Sequence, residues 1–176
     1  MSISLILTTA LLVTINLGQT GCTGKKFETW EVKNGNQRIV VTACREQFRY
    51  NPGAIYEFEF IGESGRSSIM SFRHDDPVPI NKEGVVFLNE DVIYVYMGWK
   101  YAISTDGGGT WDTWNGEYAL ADWECCNYYL IDKVEMDETG KGSMSLSESR
   151  TMPARIMVTN DYGKSWTEGS PDNSEK

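Results

Sequence analysis

The sequence predicts an all-β protein, a small antiparallel β-domain of sandwich or partial-propeller form, and three observations predict it. Aromatic residues make up 12% of the chain, with six Trp and nine Tyr, a bias that suits pleated strands better than helices. Apolar runs are short and alternating, and Gly, Asn, Asp or Pro closes them. No stretch carries the spacing of a long amphipathic helix. A chain of 176 residues is one domain by length and buries a core without staples.

The strands read off in order. Phe27 to Lys33 alternates, Asn34-Gly35 supplies a tight turn, and Arg38 to Cys44 follows as RIVVTAC. An Asn-Gly pair between two such runs is a strong hairpin signal, because both turn positions need positive φ. Ala54 to Ile61 puts Tyr56, Phe58 and Phe60 on one face and Glu57 and Glu59 on the other, the period of a half-buried strand. Gly62 to Gly65 turns the chain into a strand over Ser67 to Arg73. Pro77 and Pro79 make Asp75 to Pro79 a loop or an edge. Val85 to Leu88 and Val92 to Met97 flank the turn Asn89-Glu90-Asp91, and Lys100 to Ser104 leads into a glycine run. Tyr118 to Glu124 suits a short helical turn. Tyr128 to Met136 and Ser143 to Ser147 flank a turn over 137–142, and Arg155 to Thr159 is the last clear strand. The polar tail, 170–176, reads as disordered.

The first 24 residues carry no charged side chain, and Ser4 to Leu17 is an apolar run. It is too short and interrupted for a comfortable membrane span and fits the core of an export signal. The stretch Leu17-Gly18-Gln19-Thr20-Gly21-Cys22 resembles a bacterial lipoprotein signal. That resemblance implies cleavage before Cys22, lipidation of its thiol, and a periplasmic domain held to the membrane by a lipid anchor. The alternative is plain secretion, with Cys22 in a disulfide or removed with the signal. The organisation expected is a signal over 1–21, a tether over 22–26, and a β-domain over 27–169. With Cys22 lipidated, an exported context lets Cys44 pair with Cys125 or Cys126. Adjacent cysteines rarely bond each other, and the other reading is three small buried side chains. One histidine, His74, and no Cys-x-x-Cys spacing speak against a metal site.

Two segments repeat each other. Ser104-Thr105-Asp106-Gly107-Gly108-Gly109-Thr110-Trp111 and Thr159-Asn160-Asp161-Tyr162-Gly163-Lys164-Ser165-Trp166 share one pattern, Ser/Thr-x-Asp-x-Gly-x-Ser/Thr-Trp. It resembles the Asp-box, the repeat of sialidases and related β-propeller proteins. The Asp carboxylate accepts from backbone N–H groups of its own turn. Gly109 and Gly163 suit a position needing positive φ, and Trp111 and Trp166 fold back as apolar plugs. In the resembled families the box is a folding device away from the catalytic centre. The residues Ser104, Asp106, Gly109, Trp111, Thr159, Asp161, Gly163 and Trp166 are therefore expected to be structural. A full sialidase propeller does not fit in a body of roughly 155 residues.

No catalytic constellation stands out. There is no Gly-x-Ser-x-Gly elbow. His74 lies beside a proline-broken loop and reads as solvated. Glu124 before Cys125 raises that thiol's pKa rather than activating it. The net charge of −9 repels nucleic acid and suits a cationic partner. The chain reads as a non-catalytic envelope protein that binds a basic exported protein, with no cofactor. Its signal, size and late Asp-box also resemble the immunity lipoproteins that neutralise type VI secretion phospholipase toxins. The alternative is a carbohydrate-binding module or a remnant glycoside hydrolase. Candidate contact residues are Trp99, Tyr101, Trp114, Trp123, Tyr128 and Tyr129.

Overall fold

The computed structural model describes residues 22, 24–46, 53–63, 65–75, 77–116, 129–147 and 153–169. They form three four-stranded antiparallel sheets, each a meander in chain order. The first sheet holds β1 (Lys26–Asn34), β2 (Gln37–Arg45), β3 (Ala54–Gly62) and β4 (Gly65–His74). The second holds β5 (Val85–Phe87), β6 (Ile93–Met97), β7 (Lys100–Ser104) and β8 (Asp112–Asn115). The third holds β9 (Ile131–Met136), β10 (Gly142–Leu146), β11 (Arg155–Thr159) and β12 (Thr167–Glu168). Every strand expected from alternation is present. β8 and β12 come in addition: each follows a repeated turn and is too short to show a period. The last expected hairpin begins later than its apolar run, at Ile131. His74 closes β4, half-buried against the Phe72 ring, where the sequence reads as a solvated loop.

The sheets pack as an open stack of three layers, and β6 shows why. All five of its residues are buried. Ile93, Val95 and Met97 face the first sheet, meeting Ile39, Val41, Phe58 and Phe72. Tyr94 and Tyr96 face the third sheet, meeting Ile131, Val134, Met144 and Leu146. A strand buried on both faces loses the apolar–polar alternation and reads as continuous IYVYM. The outer layers keep the alternation. Tyr56, Phe58 and Phe60 of β3 point inward, while Glu57 and Glu59 lie on the outer face, where Glu59 pairs with Arg66 at 3.7 Å.

The start of the chain departs from the expected tether. Lys26 is the first residue of β1, opposite Cys44, and Arg45 donates its backbone N–H to the Lys25 carbonyl at 3.1 Å. A disulfide joins Cys22 to Cys44 across a Cα separation of 5.8 Å. Cys44 is therefore paired with Cys22 in this structure rather than with Cys125 or Cys126. The physical reason is strand pairing: the segment before β1 is laid along the end of β2, and that brings Cys22 to Cys44. Cys125 and Cys126 lie outside the described residues, as do the expected signal over 1–21, the segment 118–124 and the tail over 170–176.

Candidate functional site

The hairpin tips of the three sheets gather at one end of the stack: hydrogen bonds join those of the first and second sheets, and Tyr162 of the third lines a cleft with Glu90, Asp91 and Thr105 of the second. Gln37, at the β1–β2 turn, donates its Nε2 to the Glu90 carbonyl at 2.8 Å and to the Gly107 carbonyl at 3.3 Å. Gly107 N–H donates to the Asp91 carbonyl at 2.9 Å. Asn36 reaches the Glu63 carboxylate of the β3–β4 turn at 3.4 Å. In the third sheet, Tyr162 donates its N–H to the Gly140 carbonyl at 2.9 Å and its hydroxyl to the Glu138 carbonyl at 2.8 Å.

The two repeated turns are superimposable in their bonding. In the first, Asp106 Oδ1 accepts from Ser104 Oγ at 2.8 Å and Thr110 N–H at 2.8 Å, and Oδ2 accepts from Thr110 Oγ1 at 2.7 Å. In the second, Asp161 Oδ1 accepts from Thr159 Oγ1 at 2.7 Å and Ser165 N–H at 3.0 Å, and Oδ2 accepts from Ser165 Oγ at 2.6 Å. The Ser104 and Thr159 hydroxyls then accept from Gly108 and Gly163 N–H, at 2.8 and 2.9 Å. Donation by the Thr110 backbone and hydroxyl to the charged form holds the Asp106 carboxyl down at about 2. Ser165 does the same to Asp161, lowering it. Trp111 packs on Phe60 with ring centroids 6.0 Å apart, and Trp166 stands edge-on to Tyr101 at 5.5 Å. Both act as plugs beneath their turns.

One glycine assignment needs correcting. Gly108, with φ of 91°, occupies the place that Gly163, φ of 73°, takes in the second turn, whereas Gly109 is not in the positive-φ region. In the shared pattern the glycine follows Asp by two residues, so the match to Gly163 falls on Gly108. The preceding position is also left-handed, at Gly107 and at Tyr162 with φ of 62°. A side chain there is tolerated because the Tyr162 ring covers Gly140 and its hydroxyl is bonded. A third capped turn, missed in the sequence, lies beside it. Asp137 Oδ1 accepts from Thr139 N–H at 2.8 Å, Thr139 Oγ1 at 2.7 Å and Lys141 N–H at 3.1 Å.

Two clefts open between these tips. One of about 420 Å³ is lined by Asn34, Asn36, Gln37, Glu63 and Glu90 over a floor of Phe60. The other, of about 510 Å³, lies between Glu90, Asp91, Thr105 and Tyr162. Glu90 borders both. Glu63, Glu90 and Asp91 are exposed, so this end of the stack is acidic. Glu63 and Glu90 were not singled out from the sequence as site residues. They belong to unremarkable turns, and only the long-range Gln37 bonds bring them together.

The aromatic candidates distribute differently. Tyr101 and Tyr129 are each 1% exposed and belong to the core between the second and third sheets, so neither is a contact residue. Burial pushes the Tyr101 phenol far up, and its hydroxyl is spent on the Tyr162 carbonyl at 3.3 Å. Tyr129 lies under the Arg155 guanidinium at 5.2 Å. Trp99 is half-buried in the β6–β7 turn, edge-on to Phe72 at 4.7 Å. Trp114 of β8 is half-buried beside a cleft of about 250 Å³ that Lys100 and Asn115 also line. Both lie at the end of the stack opposite the Asp turns. Trp123 and Tyr128 are outside the described residues. Among the described residues no group of three or more His, Cys, Asp or Glu is placed to hold a metal ion.

The geometry defines a class: a small all-β protein of stacked meanders whose second and third sheets end in Asp-capped, Trp-plugged turns. Comparison with known proteins supplies nothing narrower, since no family model, no curated protein and no solved structure matches the chain.

Proposed function

We propose that the chain is an exported, non-catalytic cell-envelope protein that binds a basic partner protein through the acidic turn end of its β-stack. The periplasm is its compartment, and inhibition of a secreted toxin by occlusion is the activity that suits it best. The observation that carries this reading is the convergence of Glu63, Glu90 and Asp91 around two adjoining clefts on turns fixed by their own hydrogen bonds. Rigid loops lose little entropy on binding. A net charge of −9 draws a cationic partner in, accelerating encounter more than it deepens affinity. The uncharged apolar run from Ser4 to Leu17 supports export, because it suits the core of a secretion signal. The floor of the cleft lined by Asn36, Gln37 and Glu63 argues against a sugar platform there: Phe60 is 2% exposed and offers no open ring face for stacking.

The test is kinetic and positional. A partner recovered from envelope extract is purified, and its association is followed by stopped flow. Glu63→Gln with Glu90→Gln and Asp91→Asn should slow association several-fold and flatten its salt dependence. The same change of three charges at Glu31, Glu57 and Glu59 on the outer sheet face should do much less. Equal effects from the two sets would mean that only net charge matters and would remove the turn end as the site. Turnover of a glycoside by the purified protein, or saturable glycan binding, would replace the reading with a carbohydrate-directed one.

A further inference from the structure

The geometry points to a structural role for Cys22: we infer that in the exported protein Cys22 is one half of a disulfide with Cys44, and that its sulfur is not the attachment atom of a lipid. The inference rests on export and on nothing about the partner. It stands on the path of the chain. Lys26 lies opposite Cys44, and Arg45 N–H is bonded to the Lys25 carbonyl at 3.1 Å. Gly24 presses so closely on the Arg45 carbonyl that a Cβ there has no room. From residue 24 onward the chain is thus already seated along β2, and this seating carries Cys22 to a Cα separation of 5.8 Å from Cys44. That falls inside the window of roughly 4.4–6.8 Å that a disulfide spans without backbone movement. Cys44 is 1% exposed, so few reagents reach its thiol while the neighbouring sulfur does.

The chemistry is exclusive and balances. The two thiols give up two protons and two electrons as the S–S bond forms, and a disulfide-bearing exchange partner of the oxidising compartment takes them and becomes a dithiol. A divalent sulfur bonded to its own Cβ and to Cys44 has no valence left for a diacylglyceryl group. A thioether at Cys22 would instead hold a lipid-bearing sulfur against the end of β2 and leave the buried Cys44 thiol unpaired. The bridge spans a sequence separation of 22 and encloses the β1–β2 hairpin, so it restricts the unfolded chain around that pairing.

The full-length chain is expressed with its own leader, recovered from the envelope, and digested without reduction. The expected result is a peptide pair joined through Cys22 and Cys44 that separates on adding reductant; this reading needs no variant. Cys22→Ser, Cys44→Ser and the double variant should each lower Tm by a similar amount, about 6–12 °C, and all should fractionate like the wild type. A diacylglyceryl mass on the Cys22 peptide, a mature chain that lacks Cys22, or a shift from membrane to soluble fraction with Cys22→Ser but not Cys44→Ser would each overturn the inference. A chain retained in the cytoplasm with both thiols reduced would sink the export reading itself, a result distinct from the other three.

Discussion

At the scale of single residues, the Asp-capped turns are local devices and were therefore legible. Asp, hydroxyl and Trp sit within eight residues of one another, so their bonding pattern is written in the spacing. The misread glycine shows the limit: in a run of three glycines composition cannot say which adopts positive φ, and only the match to Tyr162-Gly163 fixes it. Asp106→Ala and Asp161→Ala should each cost about 1–2 kcal/mol in thermal denaturation, since several turn donors lose a charged acceptor but water still reaches the site. The carboxyl of Asp106 is held at about 2, below its ordinary 3.8. Its contribution is thus fully present above about pH 4 and is lost as pH falls toward 2. Asp106→Asn should flatten the acid limb of stability against pH over that window, and an unchanged limb would show that the turn bonds do not discriminate the charged form. Gly108→Ala meets both a φ of 91° and the Phe60 ring, whereas Gly109 has ordinary backbone. Gly108→Ala should therefore be the more destabilising by about 1–3 kcal/mol, measured by denaturant titration of the two variants side by side.

At the scale of elements, hydropathy named the strands that carry an apolar run, even the three-residue β5, and missed β8 and β12, which carry none. β1 to β4 alternate because one face of their sheet meets water, and period two then shows in the sequence. β8 and β12 hold four and two residues, too few for any period, and they exist because the turn before each returns the chain to its neighbour. Local stability should follow the layers. β6 and β7 lie in the middle sheet with both faces covered, so their amides should exchange with solvent slowest. β12 pairs through Met157 and Val158 alone and should exchange fastest. Hydrogen exchange read by mass spectrometry checks this order, and comparable protection of β6 and β12 would mean that the stack does not hold as three layers.

At the scale of the whole molecule, the acidic end was not legible. Gln37 and Glu90 are 53 residues apart in the chain, and no local pattern announces their meeting. Net charge alone suggested a cationic partner without saying where it would dock. The prediction that belongs here is the salt response: association with a basic partner should slow as ionic strength rises, because exposed charges farther apart than about 8–10 Å are screened. A rate independent of salt would leave the charge as a solubility feature. The open stack has one more consequence. Three meanders in a row present two unlike outer faces, and among the described residues no strand pairing joins the first sheet to the third. The third sheet shows Ile156 and Val158 to solvent, 42% and 38% exposed, a surface on which a fourth layer could grow. The first sheet answers with Glu57, Glu59 and Arg66, so a second molecule arriving head-to-tail would have to bury those charges. That face therefore acts as a terminator of polymerisation, as polar end repeats do in solenoids. Replacing Glu57 and Glu59 by valine should turn a discrete particle into one that elongates into fibres, visible as concentration-dependent light scattering.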